Sequence, residues 1–240
     1  MPFSTVFLDV DGVIIDHALN PRVWDAHIGE ILAPELGSNI ADWGRVNREV
    51  FPRIWARNEE WGTNPIERIE REAVEGLAAM AESLGLEAPT PARCIELMRR
   101  VDVHIAATGE AAFPFAAESI VALSNLAELH TATGNPSWRV DALLTALGVR
   151  EHAGLLAGPD LVGVSKLGPD YYTAVFEHAG ATAGAALVVD DSVRCCEWAM
   201  AAGASAAHVR SEPCACAATY HLPSLAEAPA LLGARPAALR

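Results

Sequence analysis

The stretch FLDVDGVIID, from Phe7 to Asp16, decides the fold. It opens as an apolar, partly β-branched strand over Val6–Val10 and then places two carboxylates, Asp9 and Asp11, just before Gly12. Charges beside a core are costly unless something offsets them. The acids therefore either form a solvated turn or face a cation.

Working outward, further short apolar runs read as buried parallel strands at Leu126–Thr131, Ala185–Asp190 and Ser205–Val209. Between them lie amphipathic stretches of helical length. One starts at Asn135-Pro136-Ser137 and runs to Leu147-Gly148. A second follows Gly168-Pro169 and ends at Ala179-Gly180. A third runs from Ser192 to Ala202-Gly203. Strand–helix alternation of this kind implies an α/β fold with a parallel sheet and helices on both faces.

The first strand stands apart from the others, and the insert that follows it reads as mostly helical. Asn64-Pro65 opens a helix with Ile66, Ile69, Ala73, Leu77, Met80 and Leu84 at close to a 3.6-residue period. Pro89 and Pro91 interrupt the chain before another helix near Ala92–Ile105. The organisation expected is a core made of residues 1–16 and 110–240, with a helical cap over 17–109.

The 240 residues carry a formal net charge of −14, which disfavours nucleic acid and anionic membranes as partners. No apolar run reaches the roughly 20 residues of a membrane span, and the start of the chain lacks the basic leader of a signal peptide. A cytoplasmic protein, monomeric or a small homo-oligomer, is the expectation. The cysteines Cys94, Cys195, Cys196, Cys214 and Cys216 suit neither a disulfide framework nor a zinc finger. They read as small packing residues in a reduced compartment.

In open α/β sheets, ligands bind at the carboxyl ends of the strands. Those ends carry Asp9 and Asp11; then Thr133, Gly134 and Asn135; then Asp190 and Asp191. Lys166 precedes a helix in a lysine-poor chain. Each piece alone has a plainer reading as a turn, a helix cap or a surface residue. Together they converge on one sheet edge. Clustered carboxylates with oxygen-only character suit Mg²⁺. A carboxylate can attack phosphorus, and a second can protonate the leaving oxygen and then deprotonate water. An ammonium and a hydroxyl suit the charge that spreads over phosphoryl oxygens.

With these residues in place, the sequence resembles the haloacid dehalogenase superfamily of hydrolases. DVDG resembles its nucleophile motif, HTATGN its hydroxyl motif, VSKLGPDYY its lysine motif and VVDDS its acidic metal motif, in that order. The long interval between the first two motifs has room for a cap, and the short one between the second and third does not. That is the pattern of the phosphatase-like branch with a helical cap after the first strand. VIID resembles the flap hairpin that leads to such a cap.

The resemblance implies a Rossmann-like three-layer α/β/α core with an inserted α-helical cap. It implies Asp9 as nucleophile and Asp11 as general acid/base, with its carbonyl on the metal. Thr133 and Lys166 would hold the phosphoryl oxygens, with Gly134 and Asn135 beside them on the substrate. Asp9, Asp11, Asp190 and Asp191 would form the Mg²⁺ site, Asp191 being the surer ligand of the last two. Dehalogenases of the superfamily do not have the second Asp, so Asp11 favours a phosphatase. A phosphonate-cleaving member would need a cap lysine, and the insert has none.

The expectation is thus a Mg²⁺-dependent phosphate-monoester hydrolase acting on a small phosphorylated metabolite through an aspartyl-phosphate. The alternatives are a phosphotransferase or phosphomutase of the same fold, and a non-catalytic binding protein. In the insert, Arg22, Arg45, Arg48, Arg53 and Arg57 with Trp24, Trp43, Trp55 and Trp61 are candidates for a second anion contact and an apolar wall. Helix surface and core is the plainer reading of each. His27 and His104 fit no needed role, and His130 reads as packing.

Overall fold

The computed structural model describes residues 3–211 and 217–233. Cys214 and Cys216 lie outside the described residues. Six strands, β1 (Thr5–Leu8), β2 (Glu128–Ala132), β3 (Leu156–Ala157), β4 (Ala186–Asp190), β5 (Ser205–Val209) and β6 (Tyr220–Leu222), form one sheet in the order β3-β2-β1-β4-β5-β6. Every pairing is parallel. Every residue of β1 and of β4 is buried, the signature of central strands covered on both faces.

The chain divides into two compact units, one of residues 1–16 and 112–240, the other of His17–Ala111. The second unit is helical: α1 (Asn20–Leu36), α2 (Ile40–Trp55), α3 (Pro65–Ser83) and α4 (Pro91–Ala106). Its α2, α3 and α4 start where a side chain satisfies a free N–H group of the first turn. Asn39 accepts from Asp42 N–H, Asn64 from Ile66 and Glu67 N–H, and Thr90 from Arg93 N–H. In α2 the buried set Trp43, Val46, Asn47 and Val50 falls on one stripe at helical spacing.

The sheet unit holds α5 (Ala116–Ser124), α6 (Ser137–Ala146), the one-turn α7 (Pro159–Val162), α8 (Pro169–Ala179), α9 (Val193–Ala201) and α10 (Ala228–Gly233). Phe7, Ala132, Ala186 and Val188 line one face of the sheet and pack with Tyr171, Tyr172, Val175 and Phe176 of α8 and Ala199 of α9. Fully burying side chains the size of Phe7, Val175, Phe176 and Val188 contributes about 1.5–3 kcal/mol each, and the alanines contribute less. α5 rests on β2, and α10 on α5.

Register is what builds the site. Leu8 pairs with Thr131 on one side and with Val189 on the other. The residues just beyond these, Asp9, Ala132-Thr133 and Asp190, therefore emerge at the same sheet edge. β1 ends at Leu8 rather than at Val10, because Val10 turns back: its carbonyl accepts from the N–H groups of Ile14 and Ile15. The flap so formed bridges Asp11 to Ile15, and Ile15 to Ala112 of the returning chain. Phe113 N–H donates to the Ile14 carbonyl. These contacts hold the returning chain to the flap from Ala112 onward, slightly later than the junction read at 109–110.

Candidate active site

Asp9 leaves β1 with its carboxylate buried. Val10 N–H donates to Oδ1 at 2.7 Å, and Lys166 Nζ lies 2.9 Å from Oδ2. Lys166, the single lysine of the chain, stands in the loop before α8. It also reaches Asp190 Oδ2 at 2.8 Å and the Ala132 carbonyl at 3.1 Å. Burial opposes its charge, but Asp9 and Asp190 outweigh that and hold the ammonium well above its usual range. Asp9 goes the other way. Burial, with Asp190 and Asp11 adding to it against Lys166, raises its carboxyl to about 7.

Asp190 is fully buried and accepts from three donors: Lys166, Tyr172 Oη at 3.1 Å and Ser192 N–H at 2.9 Å. Ser192 also caps α9, its hydroxyl accepting from Cys195 N–H. Tyr171, beside Tyr172 on α8, donates to the carbonyls of Thr133 and Ala157 and so ties α8 to the loop after β2. Asp191 is half-buried and faces the flap. A Cβ on Gly12 would fall 2.2 Å from Asp191 Oδ2. Only glycine fits there, and at φ 75° the backbone favours it as well.

The loop after β2 holds a polar network. Thr133 is fully buried, and its Oγ1 accepts from Asn135 N–H at 3.2 Å and Asn135 Nδ2 at 3.1 Å. The same amide donates to Asp11 Oδ2 at 2.6 Å. Arg139, in the first turn of α6, donates to Asn135 Oδ1 at 2.8 Å and so fixes which way the amide faces. With two N–H groups pointing at its oxygen, the Thr133 hydroxyl is left to act as a donor. The sequence reading did not single out Arg139 or the two tyrosines. The one available signal was the four-residue spacing of Asn135 and Arg139 across a helix start.

The carboxylates of Asp9, Asp190 and Asp191 offer oxygens that all lie within 4.8 Å of one another. With Asp11 these make four carboxyl groups at one edge, and among the described residues one ammonium, that of Lys166, pairs with Asp9 and Asp190, so the edge carries excess negative charge. This all-oxygen, largely buried set fits a hard divalent cation such as Mg²⁺.

A haloacid dehalogenase-like hydrolase model matches residues 3–203. The chain belongs to that family. Comparison with curated protein sequences gives no match. Among solved structures, this haloacid dehalogenase-like hydrolase is similar to YfnB of Bacillus subtilis, solved bound to magnesium. The two share 19% identity over 98% of this chain and 100% of the other, with a TM-score of 0.70. It is also similar to the L-2-haloacid dehalogenase of Xanthobacter autotrophicus, at 18% identity, 96% and 98% coverage and a TM-score of 0.63. A third is CbbY of Rhodobacter sphaeroides, solved with phosphate, at 22% identity, 94% and 96% coverage and a TM-score of 0.59. At these identities the likeness shows the shared fold. Among the described residues no helix is long and apolar enough to cross a membrane.

The arginines and tryptophans of the helical unit are largely engaged within it. Arg45 pairs with Asp42 and Glu49, Arg48 with Asp25, and Arg57 with Glu60 and Glu75. Arg53 donates to the Glu49 carbonyl. Trp43 is buried and donates to the Gly37 carbonyl, and Trp24 and Trp55 each stack with Phe51. His130 is buried in β2 against Phe7, with Nδ1 accepting from Leu155 N–H. Cys94 and Cys196 are buried, and Cys195 is half-buried.

Proposed function

We propose that this hydrolase cleaves phosphate monoesters of a small metabolite, with Asp9 as nucleophile, and takes Mg²⁺ as cofactor. The observation that carries the reading is the pairing of Asp11 with Asn135 beside a Lys166-bound Asp9: two carboxyl groups at one strand end in different environments.

In the first half-reaction an Asp9 oxygen forms a bond to phosphorus as the ester oxygen departs. Asp11 gives that oxygen its proton. In the second, Asp11 takes a proton from water, the water oxygen bonds to phosphorus, and the bond to Asp9 breaks to free inorganic phosphate. Asn135 holds Asp11 through Oδ2, and Arg139 holds Asn135. The Thr133 hydroxyl and the Lys166 ammonium donate to the phosphoryl oxygens, with the Gly134 N–H as a further donor, since the Thr133 and Asn135 N–H groups are engaged within the fold. Asp190 holds Lys166 in place. Mg²⁺ on Asp9, Asp190 and Asp191, with the Asp11 carbonyl, would screen the carboxylates and neutralise phosphoryl charge.

The test is phosphate release from a panel of small phosphate esters, with Mg²⁺ and with chelator, run beside halide release from L-2-chloropropionate. Mg²⁺-dependent phosphate release that vanishes in Asp9→Asn supports the reading. Halide release insensitive to chelator, with no phosphate release, overturns it in favour of carbon–halogen chemistry. Turnover to a product that keeps its phosphate would replace hydrolysis by phosphoryl transfer.

A further inference from the structure

The helical unit holds a second cluster of metal-ligating side chains. His27 and Glu30 sit three residues apart on α1, so they share a face. His104 comes from the last turn of α4, which packs on α1, and Glu110 follows that helix. Glu30 lies between the two imidazoles: Oε1 is 3.1 Å from His27 Nδ1, and Oε2 is 2.7 Å from His104 Nε2. His27 Nε2 is 3.2 Å from Glu110 Oε2. The two rings meet edge to face with centroids 6.2 Å apart.

We infer that His27, Glu30 and His104 form a binding site for Zn²⁺ that joins α1 to α4, with Glu110 orienting His27 from behind. One donor atom from each of the three ligands lies within 4.8 Å of the others. A tetrahedral shell with bonds of about 2.0–2.1 Å needs donors about 3.3 Å apart, so side-chain rotation alone closes the set. Two imidazoles and one carboxylate are the donors of a borderline-soft transition ion. They contrast with the oxygen-only set at the sheet edge, which suits Mg²⁺.

The tautomer follows from Glu110. With Nε2–H donated to that carboxylate, the Nδ1 lone pair faces Glu30 and the ion, the carboxylate–histidine–metal arrangement that fixes ligating imidazoles. Without metal, both nitrogens of His27 face carboxylates, and its pKa is raised: burial opposes the charge, but Glu110 and Glu30 prevail. An ion would take the place of the ring protons between the imidazoles and Glu30. Because His27 and Glu110 are 83 residues apart, the site would clip the start of the unit to its end.

The experiment is Zn²⁺ titration of the full chain against a chromogenic chelator, with excess Mg²⁺ to fill the carboxylate site, plus Co²⁺ spectra as a geometry readout. Expected is one equivalent of Zn²⁺ bound, a tetrahedral Co²⁺ spectrum and a higher Tm with Zn²⁺. The double variant His27→Gln/His104→Gln should bind none, and Glu110→Gln should bind about 10–100-fold more weakly. Asp191→Asn should bind as the parent chain does. If the double variant does not fold, Glu110→Gln decides. The inference is overturned by absence of Zn²⁺ binding, by full affinity in Glu110→Gln, or by stoichiometric binding that survives the double variant and is lost in Asp191→Asn.

Discussion

Two charged clusters of this chain solve the same problem differently. At the sheet edge, four carboxyl groups gather, and the two buried ones, Asp9 and Asp190, both pair with one permanent cation, Lys166, while Asp11 and Asp191 are half-buried. In the helical unit, the exposed Glu30 and Glu110 face two half-buried imidazoles, His27 and His104, instead of an ammonium. The buried set cannot shed its excess charge to water, so Asp9 rises to about 7. The exposed set is screened, and Glu30 moves the opposite way: hydrogen bonding by His104 first, then by His27, holds its carboxyl below the usual range. Burial, more than the number of acids, decides which cluster stores electrostatic strain, and the strained one is where chemistry is expected.

The sharpest way to break this contrast is to remove its buried acids. Asp9→Asn should cut phosphate release by more than about 10³-fold, as loss of a nucleophile does, measured as single-turnover phosphate production. Asp11→Asn should cost about 10²–10⁴-fold in kcat, and its pH–rate profile should lose one limb; an unchanged profile would remove Asp11 from proton transfer. Thr133→Val deletes one donor to the phosphoryl oxygens and should lower kcat by about 10²–10³-fold. An effect on KM alone would make Thr133 a binding group only.

Stability should respond with the opposite sign. In the metal-free protein the folded chain holds the Asp9 proton more tightly than the unfolded chain does, because the carboxyl rises from 3.8 to about 7. The stability this group contributes is complete below about pH 4 and is lost as pH rises through about 7. Asp9→Asn should therefore raise Tm in EDTA near pH 8, at about 2–4 °C per kcal/mol for a chain of this size. The gain should fade near pH 4. A lower Tm for the variant at the higher pH would contradict the charge balance drawn here. The smallest effect belongs to the surface: Arg45→Ala, which removes exposed pairs with Asp42 and Glu49, should leave Tm within the scatter of repeat scans.

Much of the site was legible in the sequence because strand ends are. Apolar runs that stop on Asp9, on Thr133 or on Asp190 mark one edge once the strands are parallel, and register then brings the residues together. β3 and β6 were not legible, since strands of two and three residues carry no periodicity to read. The arginines of the insert stand out by composition, yet their partners, Asp25 for Arg48 or Glu75 for Arg57, come from other elements. Arg139 carried only its four-residue spacing from Asn135, and the role of Tyr171 was not legible, for a similar reason: they act on the amide of Asn135 and the carbonyl of Thr133, groups whose direction only the folded loop defines. His27 and His104 looked idle in sequence because the helix pair that joins them is set by tertiary packing.

The most direct test of the central claim is to look for the covalent intermediate. The protein would be mixed with Mg²⁺ and a turned-over phosphate ester, quenched in acid within the first turnover, reduced with borohydride and digested for mass spectrometry. The expected result is homoserine at position 9, from an acyl-phosphate on Asp9, absent in Asp9→Asn. Turnover with no modification at Asp9 in any sample, or with the acyl-phosphate on another carboxylate, would contradict it.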